Sequence, residues 1–107
     1  MHKFEEELVN KGIIDSPLTK FMISDWYNEV TIEYEKSTSI IKCTFINCFE
    51  TNFKHDISYS KDENNYKYFV QDIEINEKDN FYYTHISAWP FEGKIVSKEI
   101  KIECFDK

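Results

Sequence analysis

From Trp26 onward, apolar and polar residues alternate with a period of two, in runs broken by polar clusters roughly every ten residues. Trp26, Val30, Ile32 and Tyr34 oppose Tyr27, Glu29, Thr31, Glu33 and Glu35. Ile41, Cys43, Phe45, Phe49 and Phe53 share a second face, and Ile100, Ile102 and Cys104 alternate with Glu99, Lys101 and Glu103. Side chains on a strand point to opposite faces in turn, so each run is a half-buried strand. Strands are expected at 26–35, 40–53, 55–60, 66–76, 81–89 and 94–105, the fifth apolar on both faces. The breaks fall at 37–39, at KDENN (61–65), at EKDN (77–80) and at PFEG (90–93). No helical stretch is long enough for a parallel crossover. The fold class is mostly β (α+β): an antiparallel six-stranded meander forming a curled sheet or partly closed barrel.

The first 24 residues read differently. Phe4 and Leu8 lie one helical turn apart, and Gly12 supplies a stop signal. Ser16-Pro17 reads as a helix start, and Leu18, Phe21 and Met22 follow at helical spacing to about Ser24. One or two short N-terminal helices within 3–24, the first alternatively an ordered arm, are therefore expected ahead of a β body at 26–105, with no boundary inside a single 1–107 domain. A chain of 107 residues that is 41% hydrophobic and 17% aromatic has enough apolar surface for one core without staples.

Twenty Asp and Glu oppose thirteen Lys, with no Arg, for a net charge of −7. Phosphate neutralisation and forked base contacts both need Lys and Arg, which speaks against nucleic acid. The same field repels an anionic membrane, and no apolar run spans a bilayer. An acidic surface favours basic protein partners, or simply keeps the chain soluble. Three cysteines and the polar start predict free thiols in a reducing cytoplasm, with Cys43 and Cys104 buried as small hydrophobes.

Candidate chemistry is sparse. His55 and Asp56 are strand neighbours that point apart, and His85 shares its parity with Phe81, Tyr83 and Trp89, as a core or interface histidine would. His2 belongs to a fraying terminus. Cys48 falls on a mixed face without a nucleophile motif around it, and no spacing matches a metal site. No catalytic residue, metal or cofactor is expected, and the chain is read as a non-enzyme. Binding is better served. Glu29, Glu33 and Glu35 line one strand face with Tyr27 beside them, a negative patch that Glu50 and Glu74 extend if their strands are neighbours. Read without a partner, the same row is a solvated face whose charges protect an edge. The surplus of Tyr and Trp suits either an interface or an aromatic barrel cavity around Tyr83, His85 and Trp89.

The helical start, the strand ISDWYNEVTIEY, the central CTFINCFE, HISAWPFEGKI and the closing IKIEC together resemble small Gram-positive YxiG-like proteins and the immunity proteins encoded beside polymorphic secreted toxins. The likeness covers most of residues 20–105. It implies a cytoplasmic protein that binds its own cell's toxin domain and blocks it by steric and electrostatic occlusion. The acidic charge fits a basic surface on that toxin, and the chain is read as a monomer or homodimer. On that reading Tyr27, Glu29, Glu33 and Glu35 bind the partner. The competing reading is a β-barrel module for a small molecule or peptide, and a third is a module that self-associates through an edge strand.

Overall fold

A computed structural model describes residues 2–55 and 68–107. Its elements are α1 (Lys3–Asn10), β1 (Leu18–Ser24), β2 (Glu29–Glu35), β3 (Ser39–His55), β4 (Asp72–Lys78), β5 (Phe81–Ala88) and β6 (Phe91–Asp106). The six strands form one antiparallel sheet in the order β1-β2-β3-β6-β5-β4. Two three-stranded meanders are thus joined along β3 and β6, the two longest strands. The expected strand at 55–60 lies outside the described residues beyond His55, as do the 61–65 break and the start of the 66–76 strand.

The β3–β6 ribbon runs from Ser39 opposite Asp106 to His55 opposite Phe91. Its register slips between Cys48 and Glu50, so Phe49 has no opposite residue, and Asn47 sits at φ 56°. That is a β-bulge, which bends a strand and increases its twist. On one side of it β2 pairs with β3 from Ile40 to Ile46, and on the other β5 pairs with β6 from Phe91 to Ser97. The sheet curls but does not close. Among the described residues its two edges meet just ahead of β1 and β4, where Asp15 N–H donates to Val70 O (2.8 Å), Val70 N–H to Ser16 O (3.0 Å) and Leu18 N–H to Tyr68 O (2.9 Å).

The second expected helix is a strand. Residues 18–24 form β1, which pairs with β2 from Leu18 opposite Tyr34 to Ser24 opposite Glu29. Leu18, Phe21 and Met22 do have helical spacing, but a helix of two turns is marginal alone. The ladder to β2 satisfies the backbone instead, and it places Phe21 edge-on against Phe53 and Phe91, with ring centroids 4.9 and 5.0 Å away.

Helix α1 forms where expected, and its ends explain why. His2 Nδ1 accepts the Phe4 amide as an N-cap, and Glu5 and Glu6 favour the positive end of the dipole. At the other end Gly12, at φ 79°, donates to Val9 O while Ile13 N–H reaches back to Leu8 O. This is a Schellman motif, in which glycine takes the left-handed position. A Cβ on Gly12 would also collide with the Lys36 side chain. His2 is docked, not frayed: its Nε2 lies 2.9 Å from Glu77 and its ring stacks on Phe4.

The core comprises Leu8 and Ile13 from the N-terminal segment, Val30, Ile32 and Tyr34 from β2, Ile41, Cys43 and Phe45 from β3, and the inward residues of β4 to β6. Cys43 is buried as expected, but Cys104 is exposed, because it lies near the end of β6 where little of the sheet covers it. Helix α1 packs against β4 and β6, and the Glu5 carboxylate accepts the Ile75 amide at 2.7 Å, occupying the edge of β4. Tyr34 is fully buried, and its hydroxyl donates to Lys11 O at 3.2 Å with Leu8 O at 3.5 Å. It thereby satisfies the Lys11 carbonyl, which the helix end leaves open.

Replacing Tyr34 with Phe keeps the packing and removes that donor. The expected loss is about 1–2 kcal/mol, read as a lower urea midpoint with an unchanged slope.

Candidate functional site

The β1–β2 hairpin ends in four residues, Asp25 to Asn28, beyond the last pair Ser24–Glu29. Asn28 N–H donates to Asp25 O at 2.9 Å, and Asp25, Trp26 and Tyr27 have φ of 52°, 52° and 69°. Positive φ at both central residues is the geometry of a type I′ turn, whose central positions favour Asn, Asp and Gly. For an L-residue with a large side chain the left-handed region costs roughly 1–2 kcal/mol. The β4–β5 hairpin turns with two left-handed residues, Asp79 and Asn80 at φ 55° and 69°, directly between paired Lys78 and Phe81, whereas the four-residue β1–β2 tip has Asp25 left-handed as well. At the β1–β2 tip the central pair is Trp-Tyr.

Trp26 stands clear of the fold, whereas Tyr27 is partly covered by it. Trp26 is 95% exposed and Tyr27 is 56% exposed. Trp26 is therefore not a half-buried strand residue, and Tyr27 does not lie beside a strand face; both project from the turn. The tip is fixed from behind, because Asn28 O accepts the Cys48 amide at 3.0 Å at the β3 bulge. The next residue, Phe49, is 64% exposed and leans edge-on against Phe81 at 4.8 Å.

The carboxylate row on β2 is divided. Glu29 is at the tip end of the strand, with no ion pair among the described residues. Glu33 lies opposite both Lys20 and Lys42, with Lys20 Nζ 3.9 Å from its carboxylate. Glu35, at the far end, has Lys107 Nζ at 3.9 Å. Two of the three charges thus already face cations across the sheet. Glu50 and Glu74 do not extend the row: Glu50 lies past the bulge, beyond the end of β2, and Glu74 is on β4 at the opposite edge.

Those two residues instead border a shallow cleft of about 410 Å³ on the outer face of β3, β6, β5 and β4, together with Tyr83, His85 and Lys94. Tyr83 and His85 therefore face outward, and Trp89 stands half-exposed in the β5–β6 turn. They do not line an interior cavity, because the inward positions of β5 belong to Thr84, Ile86 and Ala88. His85 is neither buried nor in the core. Its Nε2 lies 2.9 Å from Glu92 across the β5–β6 pair, and this hydrogen bond, more than the charges of His85, Lys54 and Lys94, pulls the Glu92 carboxyl below the usual range.

His55 Nε2 lies 2.8 Å from the Tyr68 hydroxyl, and Asp56 lies outside the described residues. Cys48 is half-buried, and burial pushes its thiol up, with Glu29 adding to the rise. Burial raises the Cys43 thiol further still. A thiolate is disfavoured at both positions. Among the described residues, no three His, Cys, Asp or Glu side chains cluster to hold a metal ion.

A family model described as "Immunity protein PIM7" matches residues 1–104. No curated protein matches the chain. Among solved structures, an uncharacterized protein from Neisseria gonorrhoeae is similar in fold, with a TM-score of 0.60 at 19% identity over 84% of this chain and 91% of that one.

The His85–Glu92 bond has a consequence for titration. A carboxyl held low by its partner contributes stability above its unfolded pKa and loses it as pH falls through the folded one. By NMR, Glu92 should titrate below the ordinary glutamate range, and in His85→Ala its midpoint should rise toward that range.

Proposed function

We propose that this chain neutralises a cognate toxin domain by binding it, and the premise is its family: the chain belongs to the PIM7 immunity protein family. The match along nearly the whole chain is the observation that carries the reading. It is a reading of a binding protein rather than an enzyme, acting in the cytoplasm of the cell that makes the toxin.

The proposed mechanism is occlusion of a basic cleft. Between Lys20 and Lys36 every charged residue is an acid: Asp25, Glu29, Glu33 and Glu35. The acidic tip of the hairpin, Asp25 and Glu29, steers toward an oppositely charged surface and raises the encounter rate. Tyr27 and Glu29 are the proposed contacts, with Glu33 and Glu35 contributing to the field from further down the strand.

On this reading a toxin domain is encoded beside this gene, and that domain is the probe. Co-expression should restore growth, and the purified pair should form a complex whose association slows as salt rises. Glu29→Lys should slow association about tenfold, whereas Glu33→Lys and Glu35→Lys should do less, because Lys20 and Lys107 already screen those positions. A toxin that neither binds nor is silenced removes the reading.

A further inference from the structure

The β1–β2 tip and the β4–β5 turn give the chain two tight turns of left-handed geometry. At Asp79-Asn80 the residues are those such a turn prefers. At Trp26-Tyr27 they are two large aromatics in a disfavoured conformation, one of them almost wholly in water. Folding does not require this. The same backbone is available with cheaper residues, and a ring that is 95% exposed contributes no packing. Strain that the fold itself does not need points to use by something outside the chain.

We propose that Trp26, with Tyr27 beside it, is the anchor that enters an apolar pocket on the toxin, and that basic side chains rim that pocket. This inference rests on the toxin-binding reading above and names the site within it. Three observations support that occupant. Trp and Tyr are the residues most often found at the energetic centre of interfaces, since they bury much area with few rotatable bonds. The turn and its bond to the Cys48 amide fix the backbone that carries the rings before binding, so little backbone freedom is lost on docking. The charges closest to the rings in sequence are Asp25 and Glu29, both acidic, which sets the sign of the rim. Phe49, beside that amide, adds an apolar flank.

The decisive variant is Trp26→Asn with Tyr27→Gly, which installs the sequence that a type I′ turn favours. A structural role and a binding role move it in opposite directions. Thermal unfolding of the variant alone should shift upward by about 4–8 °C. Its affinity for the adjacent-gene toxin domain should fall at least about 30-fold, as should that of Trp26→Ala. In a Trp89→Phe background Trp26 is the sole tryptophan, and its emission should shift to the blue and resist quenching when toxin is added. A lowered melting temperature would show that the rings serve the fold and would overturn the proposal. So would wild-type affinity in the double variant, while leaving the toxin-binding reading standing. Failure of the wild-type chain itself to bind would overturn both.

Discussion

The ladder between β3 and β6 is the interaction on which everything else hangs. Only these strands are long enough to carry a three-stranded meander on each side, and the bulge at Asn47 to Phe49 lets them do so. A flat ribbon would set both meanders in one broad plane and leave an apolar face open to water. The bend and twist at the bulge curl the halves toward each other, so that Val30, Ile32 and Phe45 meet Ile75, Ile86 and Ile95 in one core. The gap that remains is closed at one end by the bonds between residues 15–18 and 68–70, and by Leu8 of the helix. The bulge also holds the β1–β2 tip through the Cys48 amide. A feature that shapes the core thus fixes the most protruding part of the surface.

The 81–89 run is apolar on both faces, and the bulge turns Phe49 outward. Alternation was therefore sufficient only for β2, the first half of β3 and the second half of β6, where burial on one face imposes a period of two. It was insufficient at Leu18 to Ser24. Three apolar residues over five positions fit a helix face, and only pairing with the free edge of β2, which lies outside the segment, decides for a strand. Parity also carried Trp26 into β2, where it matches Val30 and Ile32. The turn was hidden because Trp-Tyr is not a turn pair; Asp25 and Asn28, on either side, were the local signal that was present. Cys104 has the parity of a core residue, but it sits where the sheet has run out of cover. His2 was taken for a loose end because its partners, Glu77 and Tyr82, are remote in sequence.

The candidate site shows the same division. Which residues are acidic, and that three share a face of β2, is written in the chain. What opposes each is not: Lys20, Lys42 and Lys107 come from the neighbouring strands and the C-terminus. The cross-strand cations turn an apparent patch of three charges into a gradient, neutral at the Glu35 end and negative at Glu29. The signal that matters most, left-handed backbone at aromatic residues, has no sequence signature and is visible only in three dimensions.

On the proposed reading, charge and aromatic surface have separate work to do at one hairpin. The acidic residues act at long range and set how quickly the partners meet, an effect that salt weakens. The rings act only on contact and set how long the partners stay together. An inhibitor must be fast to intercept a toxin and slow to release it, so both are needed, and both are best carried on a rigid projection. The type I′ turn supplies that rigidity at an energetic cost borne by the free protein. Relief of that cost by turn-favouring residues would leave the approach field of Glu29 untouched and remove the hold. For this reason the tip, and not the carboxylate row as a whole, is where affinity and monomer stability pull against each other.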